Sequence, residues 1–103
     1  MKRYTFETVN GMRNFMEERG FEKRYIDRVI EHERDHFEKA KSLGADPIYV
    51  LEKRLSLMYK PWKPGIMRRK QISIQDAIDI FMAPRYPSNS DLRMANKLRR
   101  LSI

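Results

Sequence analysis

The residues best suited to chemistry form one pentapeptide, His32-Glu33-Arg34-Asp35-His36, which contains both histidines of the chain. If this segment is helical, the two imidazoles lie one turn apart on the same face, where a single metal ion can bind both. A glutamate between two such histidines is the residue type that activates a metal-bound water in hydrolytic zinc sites. The pattern therefore predicts a Zn²⁺ site with His32 and His36 as ligands and Glu33 as the catalytic residue.

The element that must position these residues is a helix predicted over residues 22–43, where apolar residues recur at helical spacing. On a helical wheel, Glu33 lies near the centre of the apolar stripe and the histidines lie at its edge. Because burying an unpaired carboxylate is costly, Glu33 should have a metal-bound water, a cation or hydrogen-bond donors as its partner. The alternative is that both histidines are solvated and Glu33 pairs with an Arg or Lys from another segment.

A catalytic zinc site needs a third protein ligand, and this one must be a carboxylate because the chain has no Cys and no third His. We favour Glu52, on a helix predicted over residues 47–59. A turn before that helix would place Glu52 about as far along it as His36 lies from the end of its own helix. An exposed Glu52 paired with Lys53 or Arg24 is the alternative. Helix capping or a position on a solvated face accounts for the other aspartates considered, which are Asp46, Asp76, Asp79 and Asp91.

Glycines and prolines divide the chain into short elements that predict a mainly α fold. We expect one compact domain, residues 1–103, of about five helices with at most a small β-sheet or hairpin. Besides the two helices above, the pattern predicts a helix within 6–19, with residues 2–8 as a possible strand instead. Further along the chain it predicts a turn-rich linker at 61–65 and an extended stretch at 66–74. The last elements are a helix starting at Ser73 and a basic helix at 91–101, capped by Asn89 or Ser90.

Composition favours a cytoplasmic protein that does not span a membrane. The chain has 103 residues, no cysteine and no long apolar run, and its first residues lack the apolar core of a leader. Lys and Arg number 22 against 14 Asp and Glu, a net charge of +8, with the excess concentrated in the C-terminal third. Such a balance is typical of charge-rich surfaces in heat-stable proteins, and it also fits an acidic partner or nucleic acid.

An H-E-x-x-H helix followed by a glutamate-bearing helix, as predicted here, resembles the gluzincin metallopeptidases. The residues that carry this resemblance run from Val29 to Gly44. With the short chain and helical layout, it is most similar to the minigluzincins, soluble minimal peptidases of thermophilic prokaryotes. The resemblance implies zinc bound by His32 and His36, Glu33 as general base and acid, and a peptide or protein substrate. It also implies latency, because C-terminal segments in that family can cover the cleft. For this chain our hypothesis is that residues 83–103 lie across the cleft, with Asp91 or the terminal carboxylate near the metal. The histidine that this family can use as third ligand has no counterpart here.

Two other functions compete with this interpretation. Residues 73–82 and 91–101 could form a helix-turn-helix that binds nucleic acid through basic side chains on its second helix, namely Arg93, Lys97, Arg99 and Arg100. A connector with two prolines is longer than such a motif usually allows. Alternatively, the C-terminal helices could mediate self-association through Met82, Met94, Leu98 and Leu101.

Overall fold

The structure, a computed structural model, describes residues 2–54 and 61–102. In this part of the chain, four helices accompany a three-stranded antiparallel sheet. The elements in chain order are β1 (Lys2–Phe6), α1 (Val9–Glu18), α2 (Lys23–Ser42), β2 (Pro47–Lys53), β3 (Trp62–Arg68), α3 (Ile74–Phe81) and α4 (Asn89–Leu101). None of these helices is long and apolar enough to cross a membrane.

The prediction of a mainly α fold was wrong, and so was the helix at 47–59. Residues 47–53 form the central strand, paired with β1 on one side and β3 on the other, and residues 55–59 lie outside the described residues. Asp46 does not cap a helix, because its backbone has a φ of 52°, in the left-handed region. The run Ile48-Tyr49-Val50 consists of β-branched and aromatic residues, which favour strands. The predicted linker at 61–65 was also wrong, since all but its first residue belongs to β3.

Strand β3 forms one edge of the sheet, which has the order β1-β2-β3. Backbone bonds from Arg54 N–H to the Pro61 carbonyl (2.7 Å) and from Arg69 N–H to the Asp46 carbonyl (3.1 Å) flank its pairing with β2. Because bonded pairs alternate along an antiparallel ladder, the backbone groups of residues 62, 64, 66 and 68 point to the free edge. Pro64 therefore removes no ladder hydrogen bond, as expected for a proline on an edge strand.

The core lies between one face of the sheet and helices α1 and α2. Its fully buried side chains are contributed by α1, α2 and β2, and include Met12, Met16, Ile26, Ile30, Tyr49 and Leu51. A second cluster of Ala40, Ala45 and Ile80 packs α3 against the end of α2. Phe37 stacks on Tyr49 with ring centroids 4.3 Å apart, which fixes the rotation of α2. The second half of α2, which carries the H-E-x-x-H residues, is thus positioned by both the sheet and α3.

Helix α4 begins with a capping box that also orients a carboxylate. Ser88 Oγ accepts a hydrogen bond from Asp91 N–H (3.1 Å), and Asp91 Oδ2 accepts one from Ser88 N–H (3.0 Å). The sequence predicts Asn89 or Ser90 as the cap of this helix. In the structure the cap is Ser88, so that prediction was wrong. The predicted start of α3 at Ser73 is confirmed, since its hydroxyl accepts from Asp76 N–H.

Candidate metal centre

His32, His36 and Asp91 form a group that can hold a metal ion. The histidines lie one turn apart on α2, and their Nε2 atoms are 3.2 Å from each other. Oδ2 of Asp91, at the start of α4, lies 3.0 Å from Nε2 of His32 and 3.2 Å from Nε2 of His36. The fold thus brings together three ligand atoms from two helices that are far apart in the sequence.

The spacing of these three atoms suits a tetrahedral metal site. With nitrogen and oxygen ligands about 2.0–2.1 Å from Zn²⁺, neighbouring ligand atoms are about 3.3–3.4 Å apart. The observed separations of 3.0–3.2 Å are shorter by only a few tenths of an ångström. Three ligand atoms in a triangle would leave one position of a four-coordinate metal ion unfilled.

The hydrogen bonding of His36 gives a second reason to place a cation here. Its Nδ1 lies 2.7 Å from the carbonyl oxygen of Ile80, in the last turn of α3, and must donate because that oxygen can only accept. In a neutral imidazole, Nε2 is then an acceptor that faces the Asp91 carboxylate, another acceptor. The contact is attractive only when a proton or a metal ion lies between the two atoms. The Ile80 carbonyl thus supplies the outer hydrogen bond that ligating histidines usually make.

Glu33 lies in the interior beside the histidines, in agreement with its position on the helical wheel. The residue is 5% exposed, and its Oε1 is 3.9 Å from Nε2 of His32. Among the described residues its Oε2 has no hydrogen-bond partner although it is buried. Burial raises the pKa of the Glu33 carboxyl group, which suits a proton acceptor. An uncompensated buried carboxylate is costly, so this orphaned oxygen fits a site where a cation and water supply its partners.

The three candidate ligands influence one another's protonation. The hydrogen bond to Asp91 raises the pKa of His32. Burial alone would lower the pKa of His36, but hydrogen bonds to Asp91 and to the Ile80 carbonyl outweigh it, and the net shift is upward. Burial likewise opposes ionisation of Asp91, yet hydrogen bonds from both histidines and from the Ser88 N–H bring its pKa below the usual range. Asp91 is therefore a carboxylate at neutral pH and is ready to bind a cation.

Glu52, the third ligand favoured from the sequence, is not a member of this group. It lies on β2 and accepts a hydrogen bond from Arg3 on the neighbouring strand (3.4 Å), so the helical argument that placed it was wrong. Its side chain does line the same cleft, and its role as a ligand stays a prediction. Sequence reasoning ranked Asp91 behind Glu52 because a capping role already explained it. In the structure the same carboxylate oxygen caps α4 and contacts both histidines.

The candidate metal centre formed by His32, His36 and Asp91 opens into a cleft of about 690 Å³ between β3 and α4. In the described residues, no Cα atom of β3 lies within 8 Å of a Cα atom of α4. On the β3 side, a Cβ built on Gly65 would meet no other atom within 4 Å, which shows how open the wall is. The cleft therefore has room for an extended chain to pass beside the three candidate ligands.

No protein-family model, curated protein or solved structure matches this chain. The case for its function therefore depends on the chemistry of the site.

Proposed function

We propose that this protein is a zinc-dependent metallopeptidase whose active site is built on the H-E-x-x-H helix. In this proposal His32, His36 and Asp91 hold the metal, and Glu33 is the general base. The observation that carries the proposal is the convergence of three ligand atoms in an open cleft, beside a buried carboxylate oxygen that has no hydrogen-bond partner among the described residues.

The residues of this chain divide the reaction between them. Zinc, when bound, would polarise the scissile carbonyl group and lower the pKa of a water molecule. Glu33 accepts a proton from the attacking water and delivers it to the leaving amine, a role that its raised pKa favours. The Ile80 carbonyl fixes the tautomer of His36, and the capping box fixes the side chain of Asp91.

The free edge of β3 supports a peptide as the substrate. Ile66 and Arg68 direct their backbone groups to this edge, and both residues line the cleft. An extended peptide can pair with such an edge through main-chain hydrogen bonds, which place it without demanding a particular sequence. The scissile bond would then lie beside Glu33.

We further propose that the C-terminal segment 83–103 completes the metal centre, because α4 supplies Asp91. Deleting this segment should then abolish zinc binding together with activity. A segment that only covers the cleft, as latency would require, gives the opposite result: zinc stays bound and hydrolysis increases.

Elemental analysis of the purified protein tests the metal site directly. We expect one zinc per chain in the wild type and a large loss in His36→Ala. Peptide hydrolysis is then compared between Glu33→Gln and Glu31→Gln, since Glu31 is an exposed glutamate on the same helix. Activity should disappear in the first variant and persist in the second. A wild-type protein that takes up no zinc would refute the proposal.

Nucleic-acid binding is the second candidate, and the exposed basic face of α4 is the observation that favours it. Arg93, Lys97 and Arg100 are all exposed on this helix. Phosphate contacts from such a face would give an affinity that falls steeply with salt. A mobility shift of DNA or RNA at low salt, lost when these three residues are neutralised, would support this candidate. Absence of any shift at low salt would exclude it.

A further inference from the structure

The outward face of α4 carries a row of positive charges. Arg93, Lys97 and Arg100 are spaced by four and three residues and therefore lie on one side of the helix. They line a shallow groove of about 480 Å³ together with Ser90, Met94 and Asn96. Among the described residues, the lining of this groove has no acidic and no aromatic side chain, so every charge that it carries is positive.

This groove, which we call the α4 groove, is continuous with the cleft of the metal centre. Ser90 and Met94 line both. On the opposite wall of the cleft, β3 contributes two further cations, Lys63 and Arg68. The path from the α4 groove to the metal centre therefore passes between basic side chains.

The acidic residues of the cleft each have a basic or imidazole neighbour of their own, although Glu52 also stands opposite Lys63 in the strand register. Asp91 contacts the two histidines, Glu52 pairs with Arg3, and Glu33 faces the metal centre. In residues 2–54 and 61–102, no ion pair involves Lys63, Arg68, Arg93, Lys97 or Arg100. Other basic side chains are paired: Arg69, for example, contacts both Glu7 and Asp46. The cations along the path are thus available to an acidic ligand.

The row has the dimensions of an extended peptide. Seven residues of helix separate Arg93 from Arg100, which corresponds to about 10 Å along the axis. In an extended chain, side chains on the same side are about 6.7 Å apart, so two or three carboxylates match this length. The long basic side chains can adjust to the remaining difference.

We propose that the α4 groove binds an acidic stretch of polypeptide and leads it into the metal cleft, so that the substrates are acidic polypeptides. As a statement about substrates, this inference rests on the proposed peptidase function. A peptide fits better than single-stranded nucleic acid, because sites for the latter combine basic residues with aromatic side chains on which bases stack. The free edge of β3 adds main-chain groups that can pair with a peptide.

Fluorescence anisotropy tests the inference on the full chain carrying Glu33→Gln, so that bound peptide is not cleaved. The probes are labelled peptides of equal length, one rich in Asp and Glu and the other with Gln and Asn in their place. Neutralising the groove with Arg93→Gln, Lys97→Gln and Arg100→Gln should weaken binding of the acidic peptide about tenfold or more, since each exposed ion pair contributes modestly. The matched control removes three exposed charges from α2 with Lys23→Gln, Arg24→Gln and Arg28→Gln. It should change the affinity by at most about twofold, because salt screens distant charges.

Three results would overturn the inference. They are equal binding of the neutral peptide, unchanged binding by the groove variant, and tighter binding of a labelled oligothymidine that is lost in the same variant. The last result would assign the α4 groove to nucleic acid. Failure of the peptidase proposal looks different, since the chain would then take up no zinc and hydrolyse no peptide while the anisotropy result stands. Hydrolysis without preference for acidic peptides would remove only this inference.

Discussion

Replacing Asp91 by Asn is the sharpest test of the metal centre. The substitution preserves the size of the side chain and leaves an oxygen that can accept from the Ser88 N–H, so the start of α4 should survive. It removes the only negative charge among the three candidate ligands. We therefore expect a folded protein with weakened zinc binding.

The expected size of the effect follows from the geometry. Changing a residue that only orients a ligand typically costs 10- to 100-fold in metal affinity, and Asp91 Oδ2 is itself one of three close ligand atoms. The dissociation constant for zinc should therefore rise by at least about 100-fold, or about 2.7 kcal/mol. At a zinc concentration that saturates the wild type but not the variant, the free energy of unfolding that zinc adds should be smaller in the variant by a similar amount. For a domain of this size, that corresponds to a Tm lower by roughly 10–20 °C.

The assay combines zinc titration against a chelating dye with thermal unfolding at fixed zinc. Two control variants define the result. Ser88→Ala removes the hydroxyl cap of α4 and should cost about 1 kcal/mol of stability. It should leave zinc affinity nearly unchanged, because the Ser88 N–H still donates to Asp91. Glu52→Gln tests the ligand favoured from the sequence. If Asp91→Asn binds zinc like the wild type while Glu52→Gln binds weakly, the assignment of Asp91 as a ligand is refuted.

Four further predictions concern groups that gain or lose a proton. Glu33→Gln should retain zinc and lose about 100-fold or more in kcat, as expected for a lost general base, and hydrolysis near the wild-type rate would contradict its role. Because burial raises the pKa of Glu33 in the folded state, the charged form opposes folding at pH 7, and metal-free Glu33→Gln should unfold at a higher temperature than the metal-free wild type. Zinc affinity should fall as the pH is lowered, because protons compete with the metal for His32 and His36. The fall should begin above the ordinary histidine pKa of 6.5, since the pKa values of both residues are raised. A zinc affinity that does not change with pH in dye titrations would exclude both histidines as ligands. Burial raises the pKa of Tyr49 from 10.0 to about 12, so this hydroxyl ionises first in the unfolded chain. The free energy of unfolding should therefore decrease by about 1 kcal/mol per pH unit between these two values. An ultraviolet titration that gives Tyr49 a normal pKa would refute the burial of its hydroxyl.

The helices were predictable from the sequence where an apolar period and a stop signal agreed. Helix α2 was expected over 22–43 and is Lys23–Ser42, because its stripe is long and Gly44 (φ 74°) follows its end. Strand β2 was not predictable in the same way. Asp46-Pro47 also occurs at helix starts. The preference of residues 47–53 for a strand depends on two partner strands, one of which begins 45 residues earlier in the chain. Pairing across such separations leaves no signal within a short window of sequence.

For the site, the sequence by itself determined the part that lies on one helix. A spacing of four residues is enough to bring His32 and His36 together, and the helical period alone predicted that Glu33 would lie inside. Only the tertiary structure decided which carboxylate joins them. Asp91 is 55 residues beyond His36, and its contact depends on how α3 packs on α2 and how the loop to Ser88 turns α4 back. Local periodicity encodes a helical face, whereas contacts between distant elements depend on packing of the whole chain.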